Sequence, residues 1–296
     1  MSSHALPNIH FIGGGRTGAS LAFFFLRQGL AVNSLIEKNP DRLHFLKKEF
    51  QWKFLDHHLD PQRLSDAAVV IIAVRDDHIS ELTTTLSKLK INWKNKLVLH
   101  CSGTLSSKVL MPLQEKGAGT ASFHPIYSFA LDPRENRLLN EVWFNIEGES
   151  NVLNRIEEIF TFIKEKFIRI NADQKQALHL ACVFYSNFYI VLAKMSHDLV
   201  KEFPISEKEV FRIFRPLLQS SIEQVLQHGP SAALTGPITR ADQKTISAHL
   251  DYLRDHHPDL LPVYVTFSQE LISISNLSPK DKTDLTRMFQ NYKIHF

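Results

Sequence analysis

The chain has 296 residues, enough for two domains with separate cores; it is 44% hydrophobic and 22% charged, with a formal net charge of +3. That composition is the balance of a folded soluble protein and excludes a disordered chain, while the small charge and the lack of a dense Lys/Arg run with interleaved aromatics argue against a nucleic-acid partner. The two cysteines, Cys101 and Cys182, form no C-x-x-C, which argues against a disulfide framework or zinc knuckle and makes a reducing, cytoplasmic setting the expectation.

The first predicted strand starts by Ile9, leaving no room for a signal peptide. It runs into Gly13-Gly14-Gly15-Arg16-Thr17-Gly18, which fits G-x-G-x-x-G, and a helix over Ala19 to Leu26 follows, with Gly29 as its stop. A dinucleotide pyrophosphate needs main chain at close range. Gly13 permits the tight turn, Gly15 removes the Cβ that would meet the phosphates, and Gly18 lets helix and strand pack. The helix start, with Arg16 and Thr17, aims free N–H groups and a positive dipole end at the anion. Phe23, Phe24 and Phe25 are predicted core.

A second apolar stretch, Ala31 to Ile36, ends at Glu37, nineteen residues past Gly18. An acid there bonds the ribose hydroxyls of NAD, yet Arg16, Lys38 and Arg42 lie near enough in sequence to hold a 2′-phosphate, so the residues admit NAD or NADP. Ala67 to Val74 is a fully apolar strand, and Asp76 and Asp77 are expected to cap a helix from His78 to about Leu89. Val74 and Arg75, at the end of that strand, join the cofactor-binding set. Further strands are predicted at Leu97 to Cys101, Thr120 to Phe123, Val142 to Ile146 and Phe167 to Ile170. Helices are expected from Thr104 to near Gly117 and from Val152 to Lys166. This is the β-α-β rhythm of a doubly wound parallel sheet, a Rossmann domain over residues 1–171.

From Ala172 the pattern is helical, and residues 172–296 form a predicted all-α domain for substrate binding and dimerisation. One long helix spans Asp173 to Val200 and is apolar on nearly every face, so burial is expected. A second covers Glu207 to Gln227 with a kink at Pro216. A Gly/Pro-rich loop follows from Gly229 to Pro237, then helices over Thr239 to Arg254, Leu260 to Ser275 and Lys280 to Gln290. The longest apolar segment, Ala177 to Ala193, is interrupted by His179, Ser186 and Asn187, so no uncharged run reaches membrane-spanning length and no membrane partner is expected.

Four further segments, LHCSGTLSS (from Leu99), SFHPIYSF (from Ser122), DQKQALHLACVFYSN (from Asp173) and LTGPITRADQKTISAHL (from Leu234), stand beside the glycine loop and VRDDHI. Together they resemble the family of Rossmann-like oxidoreductases that carries a C-terminal helical domain of unknown function. In overall plan that family is similar to ketopantoate reductase, 3-hydroxyisobutyrate dehydrogenase and pyrroline carboxylate reductase. The resemblance covers nearly the whole chain. It implies a nicotinamide cofactor on the first domain, preferentially NADP, and an active site closed by the helical one. One departure stands out: the family commonly has Gly between Arg240 and Asp242, where this chain has Ala241, which implies a less tight loop.

Lys175, His179 and Ser186 fall on one stripe of the long helix at about 100° per residue, with Cys182 between them and Asn187 beside it. A buried lysine needs a partner or an anionic ligand. The alternatives are a lysine snorkelling from the helix end and a histidine satisfied in the core. With the resemblance, Lys175 is the expected proton donor or carbonyl polariser and His179 the second candidate. His124 ends a strand where ligand-binding residues gather in open α/β sheets, and Ser102-Gly103 ends the preceding one. His124, Ser102 and Asn187 are candidate substrate contacts, and Gly103 a cofactor contact. Arg240 suits a substrate carboxylate, or pairs structurally with Asp242. No residue set has metal-ligand spacing, since His57-His58 and His256-His257 are adjacent pairs.

These expectations combine into an NAD(P)-dependent oxidoreductase that transfers hydride between nicotinamide and a small keto, hydroxy or imino acid. Its chain is expected to form a homodimer through the C-terminal half. A non-catalytic NAD(P)-binding sensor or scaffold is the competing class, and a deazaflavin partner a third.

Overall fold

The computed structural model of the protein describes residues 7–50, 52, 54–290 and 292. The chain divides into two units, one running up to Ser186 and the other from Asn187 onward.

The first unit is built on an eight-stranded sheet. The strands are β1 (Ile9–Ile12), β2 (Val32–Ile36), β3 (Leu55–Asp56), β4 (Val69–Ile72), β5 (Leu97–His100), β6 (Gly119–Ile126), β7 (Trp143–Gly148) and β8 (Phe167–Arg169), in spatial order β3-β2-β1-β4-β5-β6-β7-β8. Its helices are α1 (Arg16–Arg27), α2 (Pro40–Phe50), α3 (Pro61–Ser65), α4 (Asp76–Ser87), α5 (Met111–Gln114), α6 (Ser150–Ile159) and α7 (Ala172–Cys182). The sheet turns both faces into core. Phe11, Val69, Ile71, Leu97 and Leu99 join one apolar cluster, while Ile12, Val70, Ile72 and Val98 join the other. Period-two alternation of apolar side chains on both faces explains why these strands read as continuous hydrophobic runs.

Two features differ from a purely parallel sheet. β7 runs antiparallel to β6, with Ser122 opposite Glu147 and His124 opposite Asn145, and β8 then runs parallel to β7. β6 continues past Phe123 through His124 and Pro125 to Ile126, longer than predicted. The helix expected from Thr104 is instead a 3-10 turn at Ser107–Leu110 followed by the short α5, which Pro112 opens. Of the three phenylalanines in α1, Phe24 and Phe25 are core, whereas Phe23 is only partly buried against it.

α7 opens with a capping box: Asn171 Oδ1 accepts from Gln174 N and Gln174 Oε1 accepts from Asn171 N. A π turn at Val183–Asn187 joins it to α8 (Phe188–Asp198). The helical run Ala172–Asp198 is long and apolar enough to cross a membrane by length and composition. The expected burial of this run is not observed. Within α7 only Lys175 is buried, and Leu180, Phe184, Tyr185 and Ile190 are each more than half exposed. Apolarity on every face predicts burial from sequence, and this chain does not itself provide that burial.

The second unit continues with α9 (Glu207–Ala233), α10 (Gln243–His256), α11 (Leu261–Ile274) and α12 (Pro279–Gln290). Its core gathers Ile246, Leu250, Val265, Ile272, Leu285 and Phe289. α9 runs past the predicted loop start to Ala233; its break falls at Gly229, with φ +77°, where the kink was expected at Pro216. Ala241 adopts the left-handed conformation, φ +48° and ψ +39°. That conformation strains a residue with a Cβ and is free for glycine, which accounts for the glycine the resembling family carries there. Relief of about 1–2 kcal/mol of strain, less the entropy cost of glycine of about 0.5–1 kcal/mol, predicts that Ala241→Gly stabilises the protein by about 0.5–1 kcal/mol. Thermal unfolding of the two proteins checks this; a lower midpoint for the variant would show that the Ala241 methyl contributes more by packing than its backbone loses by strain.

Candidate active site

The glycine loop is held from three sides. Gly13, with φ +106°, donates its N–H to Ile36 O at 2.8 Å, and a Cβ at this position would lie 2.4 Å from Ala73 O. A Cβ on Gly18 would lie 1.9 Å from Gly13 O, so the loop closes onto α1 only with glycine at both ends. Gly15 is different: a Cβ there would meet nothing within 4 Å. Gly15 is also the N-cap of α1, brings no side chain to cap it, and precedes a first turn with no acidic residue. The first-turn amides at Arg16, Thr17 and Gly18 therefore face an open cradle with a positive helix end, the requirement for a pyrophosphate.

At the neighbouring strand end Glu37 turns back onto this loop. Its Oε2 accepts from Gly14 N at 2.8 Å and its Oε1 from Asn39 N at 2.7 Å. Arg42 Nε donates to Gly14 O at 2.8 Å, while its terminal Nη2 is buried with no partner. Burial pushes the Arg42 guanidinium down from its usual value, the Glu37 and Asp132 charges oppose this, and Arg16 adds to it. Arg16 and Lys38 are exposed. An orphaned guanidinium nitrogen beside a basic residue, with the local acid already bonded to main chain, suits a phosphate better than a bare ribose. Val74 is half-buried at the end of β4, and the exposed Arg75 pairs with Asp77 at 3.1 Å. Arg75 is the N-cap of α4 and makes no side-chain cap bond; the helix begins at Asp76, earlier than predicted, and Asp76 does not cap it. The Asp76 carboxylate instead accepts the Ser102 hydroxyl at 2.7 Å and the Thr104 hydroxyl at 2.8 Å.

A second polar cluster lies where β5 ends, beside Ser122 within β6 and Asn145 within β7. Lys175 is 1% exposed, and its Nζ donates to Ser102 O at 2.7 Å and Ser122 Oγ at 2.6 Å, with Asn145 Oδ1 at 3.5 Å. It therefore does not snorkel. Burial pushes its ammonium down to about 8, against the opposing pull of the Glu147 and Asp76 carboxylates. Glu147 is held in turn by Ser107, accepting from its N–H at 2.6 Å and its hydroxyl at 2.9 Å. Burial first, and Lys175 second, push the His100 imidazole down to about 4. Burial pushes the Cys101 thiol up to about 12, so it stays a thiol at neutral pH.

His179, one turn after Lys175, and His124 both border the space beside Gly103. A Cβ on Gly103 would lie 2.5 Å from His179 Nδ1 and 3.0 Å from His124 Cε1. The two rings sit edge to face with centroids 6.1 Å apart, and His179 Nδ1 is buried with no partner. Lys175, His179, His124, Ser102 and Gly103 thus converge within the first unit. Ser186 lies within the π turn at Val183–Asn187, and Cys182 is half-buried. Ser122 and Asn145 are site residues that the sequence reading misses; they stand among other polar residues in their strands, Thr120 and His124 in β6 and Glu147 in β7, so nothing local marks them out. Asn187 and the Arg240 region belong to the second unit. There Asp242 caps α10, its Oδ1 accepting from Thr245 N at 3.1 Å and its Oδ2 from the Thr245 hydroxyl at 2.7 Å. Among the described residues no Arg240–Asp242 ion pair forms, so the structural pairing considered for them is replaced by a helix cap.

The Lys175 value gives a signed expectation. Its folded-state value near 8 lies below the 10.5 of an unfolded lysine, so between these pH values the unfolded chain binds more protons and folding strengthens as pH rises. Relative to Lys175→Met, the wild type is expected to gain on the order of 2–3 kcal/mol between pH 7.5 and pH 10. Chemical denaturation of both proteins at the two pH values checks this, and a stability gap that does not move would remove the buried ammonium from the account.

Residues 8–103 match the family described as NADP oxidoreductase, coenzyme F420-dependent, and residues 142–271 match a domain of unknown function, DUF2520. No functionally curated protein matches the sequence. Among solved structures, a Bacteroides fragilis protein that carries the name of an NADP oxidoreductase is 21% identical, with a TM-score of 0.72 over 90% of this chain and 98% of its own. A pyrroline-5-carboxylate reductase from Coxiella burnetii is 16% identical, with a TM-score of 0.56 over 90% of this chain and 99% of its own. An imine reductase from Myxococcus stipitatus in complex with NADP+ is 13% identical, with a TM-score of 0.60 over 90% and 94%. At these identities the likeness is one of fold.

Proposed function

We infer from membership in the oxidoreductase family that joins an NADP-oxidoreductase Rossmann domain to the DUF2520 domain that this protein is an NADPH-dependent reductase of a small keto or imino acid. The observation that carries the reading is the open cradle at Gly15, bounded by uncapped amides of α1, with an unpaired Arg42 nitrogen beyond it. The residues fit the cofactor: the α1 amides take the pyrophosphate, and Arg42, Arg16 and Lys38 take the 2′-phosphate. When bound, NADPH supplies the hydride. The chain supplies the rest. Lys175 ties the Ser102 carbonyl, just past β5, to the Ser122 hydroxyl within β6. Its positive charge lies where a developing negative charge, or a substrate carboxylate, is stabilised. His124 and His179 line the space beside Gly103 and bond the reacting group. In this role Lys175 is a positioning residue whose N–H groups already have acceptors, which differs from the proton donor expected from sequence.

We further propose that two copies of the chain associate through the second unit. Its helices present Phe188, Ile190, Phe211, Ile213, Leu217 and Leu226 as exposed apolar side chains, far more than scattered surface residues require. A second copy covers such a face by symmetry, with the same patch on both subunits.

Titration with NADPH and NADH checks the cofactor. Arg42→Ala is expected to weaken NADPH roughly 10- to 100-fold and NADH little, reflecting about 1.5–3 kcal/mol for a charge-assisted bond. Wild-type protein is expected to consume NADPH with at least one member of a panel of keto and imino acids; absence of affinity for either cofactor would end the proposal. Light scattering at micromolar concentration is expected to give a dimer mass, shifted to the monomer by Leu217→Asp with Leu226→Asp. A monomeric wild type would refute the association.

A further inference from the structure

The donors and acceptors at the strand ends distinguish a C=N substrate from a C=O one; the inference rests on the reductase reading above. His124 Nδ1 lies 2.8 Å from Cys101 O. A carbonyl oxygen only accepts, so Nδ1 carries the hydrogen, and in the neutral ring Nε2 presents a lone pair. The ring is neutral at pH 7: burial pushes it down to about 4, the bond to Cys101 O opposes this, and Lys175 and His179 reinforce it. Nε2 borders the space at Gly103, 3.1 Å from where a Cβ would stand. Lys175 offers no spare N–H, since two are bonded at 2.7 and 2.6 Å and the third is directed to Asn145 Oδ1.

This inventory bears on the reaction. Reducing a ketone requires a proton for the oxygen as hydride adds to carbon. Reducing an iminium requires none: hydride brings its electron pair to carbon, the C=N π pair becomes the nitrogen lone pair, and the N–H already present is kept. An iminium N–H and the N–H of the amine product both donate to a fixed lone pair. A ketone oxygen meets it acceptor to acceptor, a mismatch of the kind that buried polar groups discriminate strongly. Charge does not supply the preference, since at His124 the Lys175 ammonium outweighs the Asp76 carboxylate; the direction of the hydrogen bond to Nε2 supplies it. We propose that His124 is a specificity-determining residue whose Nε2 accepts the N–H of an iminium, so that the site takes a protonated C=N group in preference to a C=O group of the same shape.

The test uses the whole chain with NADPH and size-matched pairs of cyclic imines and ketones, with and without a carboxylate, followed by loss of nicotinamide absorbance. The wild type is expected to favour the imine at least tenfold in kcat/KM. His124→Leu should lower imine kcat/KM about 100-fold and raise ketone kcat/KM, because the lone pair that opposes the ketone oxygen is gone, so that the imine preference is lost while NADPH affinity is unchanged. His124→Gln, which keeps a side-chain acceptor, should recover part of the imine rate. Equal turnover of both members of a pair by the wild type, or equal losses in His124→Leu, would overturn the proposal. Histidine-selective 15N NMR gives a readout without turnover: the resonance lost in His124→Leu should report an unprotonated Nε2 at neutral pH. A protonated Nε2 would overturn this inference and leave the reductase reading standing, whereas NADPH binding without consumption of any pair would overturn both.

Discussion

A single ammonium group organises the candidate active site. Lys175 is the one charged side chain that α7 buries, and desolvating a charge is tolerable only where acceptors replace water. Ser102 O and Ser122 Oγ are those acceptors, and they belong to different strands. The charge therefore fixes α7 against the sheet and, through the helix, places His179 one turn on. Its field also helps keep His100 and His124 neutral. Positioning and electrostatics are thus two outcomes of one burial.

The reversed strand β7 makes this arrangement possible. In a parallel sheet each strand brings only its carboxyl end to the ligand edge. β7 runs the other way, so Asn145 lies opposite His124 and Glu147 opposite Ser122. Glu147 is anchored by Ser107 in the loop after β5 and pulls the Lys175 value upward from across the sheet. Three successive strands thereby supply polar groups to one edge.

Much of the nucleotide half was legible in the sequence because its constraints are local. A tight turn, a close helix and an open face each demand glycine at a fixed spacing, and Gly13, Gly15 and Gly18 meet those demands separately. The alternation of apolar residues on both sheet faces carried the strands equally well. The polar cluster was half legible. Lys175 and His179 share a face at i, i+4, a spacing that sequence reports directly. Their partners Ser122 and Asn145 come from strand pairing, which depends on register and on the direction of β7, and neither leaves a periodic trace. The burial expected for the long helix failed for a related reason: hydropathy tells that a surface avoids water, not which molecule covers it. Asp76 illustrates a third limit, since a helix-start aspartate reads as a cap whether its carboxylate bonds its own helix or, as here, two hydroxyls of a neighbouring loop.

Gly103 extends this logic to natural variation. Its hydrogen-only α-carbon is what lets two imidazoles share the space beside it, because a methyl there would stand 2.5 Å from His179 Nδ1. Substitution at this position is costly as long as both rings hold these places. In related chains this one position is therefore informative: a larger amino acid at the equivalent spot requires at least one imidazole to sit elsewhere than it does here.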